Sequence, residues 1–201
     1  MRIGVFGGTF DPVHNGHVRM VEAAAARFEL GRVLFVPARL SPDKSDPPTD
    51  PRHRVAMLAL AIEGRKDWAI CLDELDRPAP SYTVDTLRAI SARLLHDELW
   101  LLMGTDTLAT LDRWREPAEI ARLARIAAFQ REPFVGPRLQ LPRLPELRER
   151  VEVFDAGSVR ISATELREQL ARGESPAGHV PGPVAEYITK QALYRSGETP
   201  C

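Results

Sequence analysis

The chain has 201 residues, with 27 lysines and arginines against 28 aspartates and glutamates, and a formal net charge of −1. This balance argues against a dedicated nucleic-acid binder, which usually carries a basic excess, and no apolar run approaches the roughly 20 residues that span a bilayer. The chain runs straight into the apolar residues 3–6, so we expect no signal peptide. Two cysteines, Cys71 and Cys201, cannot build a disulfide framework. We therefore expect a cytoplasmic protein.

Short apolar runs alternate with segments of helical period, which is typical of an α/β domain with a parallel sheet. The sequence predicts strands at residues 3–6, 33–36, 69–72, 99–103, 126–129 and 151–154. It predicts helices at about 18–28, from Pro51, after 81–83, from 104–106 to just before Trp114, from Pro117, from 162 to Gly173, and at 183–192. We therefore predict a single domain with a Rossmann-like, doubly wound parallel sheet and helices on both faces.

Local signals mark several helix boundaries. Asp50 before Pro51 combines a good N-cap with proline at the first helical position. Ser162 and Glu165 fit the capping-box pattern, and Gly173 fits the matching stop. Residues 130–147 are rich in proline and arginine and have no period, so we expect a surface excursion there.

Polar segments follow the predicted strands at five places. They are residues 7–17, Lys44, and residues 81–83, 104–106 and 162–167. In open parallel sheets ligands bind beyond the carboxyl ends of the strands, and right-handed crossovers bring these ends to one edge. The sequence therefore predicts a ligand site at that edge.

The first of these segments combines glycines with histidines. Gly7 and Gly8 let backbone amides approach a ligand closely, and the helix that follows directs its unpaired amides and its dipole at the same space. His14 and His17 lie one turn apart, so both rings can face that space if the helix begins near Asn15. The arrangement predicts an anion site, and a phosphate fits it best.

Two other interpretations of the same segment stay open. In one, His14 and His17 are only capping or surface residues. In the other, they bind a metal together with Asp11, although such a site would want a further ligand. The glycine spacing does not match a dinucleotide fingerprint, and the Gly-Lys-Ser/Thr of a Walker loop is absent from the sequence.

Residues 7–17, Gly-Gly-Thr-Phe-Asp-Pro-Val-His-Asn-Gly-His, resemble the signature of the His-x-Gly-His nucleotidyltransferase superfamily. Further segments, in the same order along the chain, resemble the bacterial nicotinate-nucleotide adenylyltransferases. They are 81–87 (Ser-Tyr-Thr-Val-Asp-Thr-Leu), 104–106 with Trp114 beyond, 161–167 (Ile-Ser-Ala-Thr-Glu-Leu-Arg) and the closing stretch 180–194. The resemblance spans nearly the whole chain.

The resemblance implies that the 5′-phosphate of nicotinate mononucleotide attacks the α-phosphorus of ATP, giving nicotinate adenine dinucleotide and pyrophosphate. It implies Mg²⁺ carried by the ATP phosphates, with no metal ligand from protein side chains. We expect no covalent enzyme intermediate, because in-line transfer asks the protein mainly to position two anions and stabilise spreading charge. The nucleotidyltransferase domain is expected at 1–195, with a tail at 196–201. Neither nucleic acid nor a membrane is an expected partner. Whether the chain forms a homo-oligomer is left open at this point.

The resemblance and the residue types together imply the site. The catalytic residues are His14, His17, Lys44 and Arg167. His17 is expected to bind the α-phosphate, His14 the adjacent phosphates, and Lys44 the triphosphate or the leaving pyrophosphate. The ATP-binding residues are Gly7, Gly8, Thr9, His14, His17, Gly104, Asp106, Ser162, Thr164 and Arg167. The residues for nicotinate mononucleotide are Thr9, Lys44, Tyr82, Thr83, Trp114 and Arg115, with Trp114 stacked on the pyridine ring.

Simpler interpretations compete for some of these residues. Ser162 can be only a helix cap, and Arg167 only a solvated side chain of a helix. Trp114 and Tyr82 can be plain core residues. Asp11 is expected to be structural, because Asp-Pro forms turns. We expect His53, His96 and His179 at the surface.

Two positions depart from the family pattern. Asp43 precedes Lys44 where the family usually has histidine, so we expect Asp43 to point away from the triphosphate or to help hold the metal. Arg115 follows Trp114 where the family often has an aromatic residue. We expect its guanidinium near the nicotinate carboxylate, because arginine pairs with carboxylates in a two-pronged geometry.

Three other functions compete with this interpretation. The first is the same transfer onto nicotinamide mononucleotide, or onto both mononucleotides. The second is a nucleotide sensor without catalysis, although His14, His17, Lys44 and Arg167 are all present and the sequence gives no sign of decay. The third is a zinc hydrolase.

Overall fold

The computed structural model describes residues 1–42, 47–130, 141–157 and 161–195. Its strands are β1 (Arg2–Gly8), β2 (Arg32–Pro37), β3 (Trp68–Ile70), β4 (Glu98–Gly104), β5 (Ala124–Gln130) and β6 (Val151–Asp155). Its helices are α1 (Asn15–Phe28), α2 (Pro51–Ala61), α3 (Asp73–Asp76), α4 (Thr83–Arg93), α5 (Thr105–Leu108), α6 (Pro117–Leu123), α7 (Pro145–Arg148), α8 (Ala163–Ala171) and α9 (Gly182–Lys190). Leu111–Arg113 forms a 3₁₀ turn. None of the described helices is long and apolar enough to cross a bilayer.

The six strands form one sheet in the order β3-β2-β1-β4-β5-β6, and every neighbouring pair is parallel. The chain winds outward from β1 in one direction and then, through β4, in the other. The predicted fold class, a doubly wound parallel sheet of Rossmann type, is confirmed. The order reverses between β1 and β4, and ligands of such sheets bind beyond the carboxyl ends at that point.

Two apolar clusters cover the two faces of the sheet, and β1 contributes to both. Successive residues of a strand point to opposite faces. Phe6 therefore packs in the cluster that contains residues of α1, α2 and α9, whereas Ile3 and Val5 pack in the cluster with residues of α4 and α6. The burial of both faces explains why the strands appear in the sequence as continuous apolar runs.

Several helix boundaries follow the predicted signals. The Asp50 carboxylate accepts the backbone N–H of Arg52 at 2.8 Å, and Pro51 is the first residue of α2. Gly173 adopts a φ of +81° just beyond α8, as the predicted stop requires. The first helix begins at Asn15, three residues before the predicted start, because His14 caps it.

The predicted capping box at α8 is wrong. Ser162 is the residue before the helix, but its side chain makes no capping hydrogen bond to a described residue. Glu165, the expected partner, stays exposed. The first turn of α8 is held instead by Arg167, whose Nη2 donates to Oγ1 of Thr164.

Two further expectations need correction. The expected surface excursion at 130–147 contains α7, which forms because Leu147 is fully buried against the second cluster. Residues 131–140 of this stretch lie outside the described residues, as does the expected tail at 196–201. The third strand ends at Ile70 instead of at Leu72, because Leu72 is the N-cap residue of α3.

Candidate active site

The carboxyl ends of β1, β2 and β4 border a cavity of about 610 Å³, a size that suits a small-molecule ligand. Three of the five predicted segments line it. The predicted site residues in its wall are Gly7, Gly8, Thr9, His17, Tyr82, Thr83, Gly104, Asp106, Trp114 and Arg115. Lys44 and Asp43 lie outside the described residues.

Four predicted residues, His14, Ser162, Thr164 and Arg167, are not part of that wall. Arg167 nevertheless joins the two elements that carry them, because its Nη1 donates to the carbonyl oxygen of Asp11 at 2.7 Å. This bond holds the first turn of α8 beside the turn that precedes α1. Arg167 is half-buried and tied to the protein, so its interpretation as a merely solvated side chain is wrong.

The two glycines at the end of β1 differ in what surrounds them. A Cβ on Gly8 would lie 3.0 Å from the ring of Phe10, so a side chain at this position would crowd that buried ring. A Cβ on Gly7 would meet no atom within 4 Å. Gly7 lines the cavity, so a side chain there would occupy space in which a ligand can approach the backbone.

His14 and His17 cap each other at the start of α1. Nδ1 of His17 accepts the backbone N–H of His14 at 3.2 Å, and Nδ1 of His14 accepts the backbone N–H of His17 at 3.4 Å. The two rings are stacked, with centroids 3.6 Å apart. Because each Nδ1 is an acceptor, each neutral ring carries its proton on Nε2.

The ring of His17 is held on its other sides by aromatic residues. It packs edge-on against Phe10 with centroids 5.2 Å apart, and lies 5.9 Å from the ring of Phe6. His14 lies deeper and is only 3% exposed, whereas His17 lines the cavity. Both histidines therefore cap the helix, and His17 also occupies a position in the cavity wall, so capping alone does not describe His17.

Asp11 ties three separate parts of the chain together. Its carboxylate accepts the backbone N–H of Thr49 at 3.1 Å and the hydroxyl of Tyr194 at 2.6 Å, while its carbonyl accepts from Arg167. Burial and the Asp11 carboxylate raise the pKa of Tyr194, so that hydroxyl remains a donor. The structural role expected of Asp11 is thus confirmed.

A cation and two aromatic side chains lie at another wall of the cavity. The guanidinium of Arg115 lies 4.7 Å from the ring centroid of Tyr82 and forms ion pairs of 3.7 Å with Asp85 and with Glu116. The indole N–H of Trp114 donates to the hydroxyl of Thr110 at 3.2 Å. Both aromatic residues are half-buried and line the cavity, so they serve the core and also present a surface to a ligand.

The wall of the cavity also contains a buried acid that the sequence did not point to. Glu74 is 7% exposed, and its carboxylate accepts the hydroxyl of Thr86 at 2.6 Å. Nη2 of Arg77 donates to the same hydroxyl at 2.6 Å. Burial raises the pKa of Glu74, and hydrogen bonds from Thr86 and Ser81 partly oppose that shift. Because Asp73 and Asp76 lie beside it, the sequence around Glu74 resembles a solvated acidic turn and does not indicate a buried acid.

His53 was also placed wrongly at the surface. It is half-buried, and its Nδ1 lies 2.9 Å from the hydroxyl of Tyr187, which links α2 to α9. His179 is half-buried as well, and its carbonyl accepts the backbone N–H of Asn15. His96 is exposed as expected.

Over the described ranges, no group of three or more histidine, cysteine, aspartate and glutamate side chains is arranged to hold a metal ion. The Asp11 carboxylate is engaged by Thr49 and Tyr194. His14 and His17 direct their Nδ1 atoms at backbone N–H groups. This geometry does not support the metal site proposed from these three residues, on which the zinc hydrolase depends.

Residues 5–169 match the family described as cytidylyltransferase-like. A protein of Thermomicrobium roseum named "Probable nicotinate-nucleotide adenylyltransferase" is 40% identical over 200 residues, which cover 98% of this chain and 93% of that protein. A protein of a Roseiflexus species with the same name is 40% identical over 96% of this chain and 98% of its own length. The chain belongs to the nicotinate-nucleotide adenylyltransferase family.

As a member of this family the chain is a nucleotidyltransferase of NAD biosynthesis, and the resemblance seen in its motifs is confirmed. A solved structure supports the fold. The nicotinic acid mononucleotide adenylyltransferase of Plasmodium falciparum, complexed with NaAD, superposes with a TM-score of 0.77 at 20% identity, over 96% of this chain and 97% of that one.

Proposed function

We propose that this adenylyltransferase joins ATP to nicotinate mononucleotide. An oxygen of the mononucleotide 5′-phosphate forms a bond to the α-phosphorus of ATP. The bond from that phosphorus to the oxygen bridging to the β-phosphate breaks, and pyrophosphate leaves with the electron pair. The observation that carries the proposal is the pair of mutually capped imidazoles at the start of α1, with His17 in the cavity wall.

His17 is the group proposed to bind the α-phosphate. Its Nδ1 accepts a backbone N–H, so the neutral ring offers Nε2–H as a donor to a phosphate oxygen. A donor held in place by Phe10 and His14 needs little reorganisation as charge develops, which is the condition for electrostatic stabilisation of a transition state. His14 was expected to bind adjacent phosphates; because it is buried, we propose that it acts chiefly by fixing the ring of His17.

The glycines and the amides at the start of α1 form the proposed phosphate path. Gly7 leaves the cavity open to the backbone, and Gly8 and Thr9 continue its wall. The N-terminus of α1, a helix of 14 residues, adds a positive dipole end at the same place. Because both substrates carry phosphates, hydrogen-bond donors must face each of the two phosphate groups.

Ser162, Thr164 and Arg167 are proposed for the outer phosphates of ATP. The hydroxyl of Ser162 makes no capping bond to a described residue, which leaves the first amides of α8 without a side-chain cap at that position. Arg167 holds this turn beside α1 through the carbonyl of Asp11. Lys44 is proposed as the flexible cation for the leaving pyrophosphate, on the strength of residue type and motif alone.

The remaining wall residues divide between the two nucleosides. Gly104 and Asp106, at the carboxyl end of β4, are proposed to bind the ribose or adenine of ATP. Tyr82, Thr83 and Trp114 are proposed to hold the pyridine end, with Trp114 stacked on the ring. Arg115 lies above Tyr82, where a guanidinium can meet the nicotinate carboxylate.

Mg²⁺ is proposed to enter with ATP. Mg²⁺ is commonly held through substrate phosphates and water, and a triphosphate supplies such ligands. When bound, the ion neutralises part of the triphosphate charge. His17, Arg167 and the amides of α1 then bind the phosphate oxygens that remain.

Transfer onto nicotinamide mononucleotide, or onto both mononucleotides, is the second candidate. Arg115 is already paired with Asp85 and Glu116, so its charge is partly offset before any substrate binds. This observation favours a graded preference for the acid over an absolute one. A cytoplasmic location and a homo-oligomeric state stay predictions.

The experiment that tests the proposal measures pyrophosphate release with ATP and Mg²⁺, adding nicotinate or nicotinamide mononucleotide in parallel reactions. We expect release with the acid and slower release with the amide. Equal or faster release with the amide would establish the second candidate instead. Binding of ATP without release on adding either mononucleotide would show a sensor.

A further inference from the structure

An arginine of α2 is buried completely at the base of the site. Arg54 is 0% exposed, and its guanidinium donates three hydrogen bonds to backbone carbonyl oxygens. Nε donates to Thr49 at 2.8 Å, and Nη1 donates to Thr9 and to Ala38, each at 2.8 Å. A single rigid side chain therefore fixes three points of the backbone that are distant in sequence.

All three backbone positions belong to the cavity wall or to the ends of the loop beside it. Thr9 belongs to the glycine segment that lines the cavity. Ala38 and Thr49 are the residues between which the chain leaves the end of β2 and returns to α2. Ala38 is also bound through its backbone N–H to the carbonyl of Gly8 at 2.9 Å, and the N–H of Thr49 is bound by Asp11.

Stability alone does not account for an arginine at this position. Replacing a buried charge by a well-packed apolar side chain is often neutral or stabilising. Burial lowers the pKa of Arg54, with only partial compensation from the nearby Asp11 carboxylate. Its Nη2 is buried and finds no hydrogen-bond partner in the part of the chain that the structure describes. What arginine supplies here is a planar fork that meets several carbonyls at fixed angles.

We propose that Arg54 is a positioning residue for the transfer reaction. It holds the carbonyl of Thr9 in register with Ala38 and Thr49, so that the glycine segment and the two ends of the adjoining loop keep one fixed arrangement around the phosphates. Arg54 lines no part of the cavity, so it acts through these backbone contacts and not by touching substrate. The proposal rests on the function proposed above.

The test compares Arg54→Lys with two controls on the same helix. Arg54→Lys keeps the charge but loses the fork. Arg52→Lys makes the same substitution at a side chain that is 86% exposed and paired with Asp50. Leu58→Ala lies one turn from Arg54, is fully buried and contacts the apolar cluster, so it lowers stability without removing a carbonyl contact of Arg54.

Steady-state pyrophosphate release is measured at a temperature where unfolding curves show every variant folded. We expect Arg54→Lys to lower kcat by about tenfold to a hundredfold, with KM for ATP changed by less than about threefold, since small displacements of positioning groups have effects of this size. Arg52→Lys and Leu58→Ala should keep kcat within about twofold of the parent. Amide hydrogen exchange should accelerate in Arg54→Lys alone at 38–41 and at Thr49, whose N–H groups include the two that bind the carbonyl of Gly8 and the carboxylate of Asp11.

The outcomes separate the two claims. If Arg54→Lys keeps the kcat of the parent, or if Leu58→Ala loses kcat in the same proportion to its loss of stability, the positioning role is wrong. If the parent protein releases no pyrophosphate, the proposed function is wrong, and hydrogen exchange alone then decides on Arg54. Unchanged exchange at 38–41 and at Thr49 in Arg54→Lys would overturn the anchoring in either case.

Discussion

Oδ1 of Asp106 occupies the place where a Cβ on Gly104 would stand. Gly104 is the last residue of β4, and Asp106 lies in the first turn of α5, so the carboxylate folds back over the strand end. A glycine at the end of β4 is therefore what allows this carboxylate to approach the backbone at the cavity wall.

Gly104→Ala should displace the Asp106 carboxylate from the cavity. Because Asp106 is exposed, its side chain can swing away without disturbing the core. If Asp106 binds the nucleoside of ATP, we expect KM for ATP to rise by about tenfold, since a hydrogen bond to a charged group contributes roughly 1.5–3 kcal/mol. Asp106→Ala should have the same effect, and the double variant no larger one. Additive effects in the double variant would refute the link.

Gly7→Ala and Gly8→Ala form a matched pair of predictions. Gly7→Ala adds a methyl group that meets no protein atom, so the free energy of unfolding should change little while KM rises for both substrates. Gly8→Ala meets the ring of Phe10 and should cost about 1–3 kcal/mol of stability, as overpacked positions do. Urea unfolding and initial rates on both variants check this. A stability loss in Gly7→Ala with unchanged KM would contradict the ligand interpretation of Gly7.

Glu74 should give the folded protein a distinct dependence on pH. Burial raises the pKa of Glu74 above its ordinary value of 4.5, so the folded state binds this proton more tightly than the unfolded state. The stability that this provides is complete below the ordinary value and is lost as pH rises through the raised folded value. Arg77 and the hydroxyls of Thr86 and Ser81 limit the shift, and Asp73 adds to it.

Glu74→Gln keeps an acceptor for Thr86 but cannot ionise. Its free energy of unfolding should therefore lack the fall that we expect for the parent as the pH rises above 4.5. Urea titrations at several pH values measure this, with the exposed Glu168→Gln as the control that retains the fall. Parallel curves for the parent and Glu74→Gln would show that Glu74 does not titrate as described.

Arg115 should influence which mononucleotide is used. We expect Arg115→Ala to lower the ratio of kcat/KM for the acid over the amide by about threefold to tenfold, a modest factor because Asp85 and Glu116 already offset the charge. Arg113, which also lines the cavity, provides the matched control as Arg113→Ala. If the ratio is unchanged in Arg115→Ala, or changes equally in both variants, Arg115 does not read the carboxylate.

The sheet could be predicted from the sequence because its strands are buried on both faces. Residues 99–103 form an uninterrupted apolar run, and β4 covers them. Short elements escaped prediction, since α3 and α7 have four residues each and no room for a helical period. In the described part of the proline-rich stretch, α7 is anchored by Leu147, whose burial depends on tertiary contacts.

Site residues that belong to a sequence motif could be predicted. Site residues whose roles come from contacts with distant parts of the chain could not. The glycines and histidines of 7–17 stand together in the sequence, so their convergence was foreseeable. Glu74 depends on Thr86, which lies more than ten residues further along the chain. Arg54 depends on Thr9 and Ala38, which are also more than ten residues away, and on Thr49, which precedes α2. Arg54 did carry one signal, because it lies four residues before Leu58 on the buried side of α2.

The proposed mechanism requires His17 to donate Nε2–H to the reacting phosphate while its Nδ1 accepts the backbone N–H of His14. His17→Asn places an amide oxygen near the position of Nδ1, where it can accept the N–H of His14, but it cannot reach as far as Nε2. His17→Gln extends an amide N–H toward the position of Nε2. The two variants therefore separate the cap from the donor.

The decisive measurement is kcat for pyrophosphate release from ATP and nicotinate mononucleotide in His17→Asn, with its thermal unfolding measured in parallel. We predict that the variant unfolds close to the parent temperature, while kcat falls by about a hundredfold or more, as when one preorganised donor is removed from an active site. If the variant keeps the parent kcat, the reaction does not depend on a donor at Nε2 of His17.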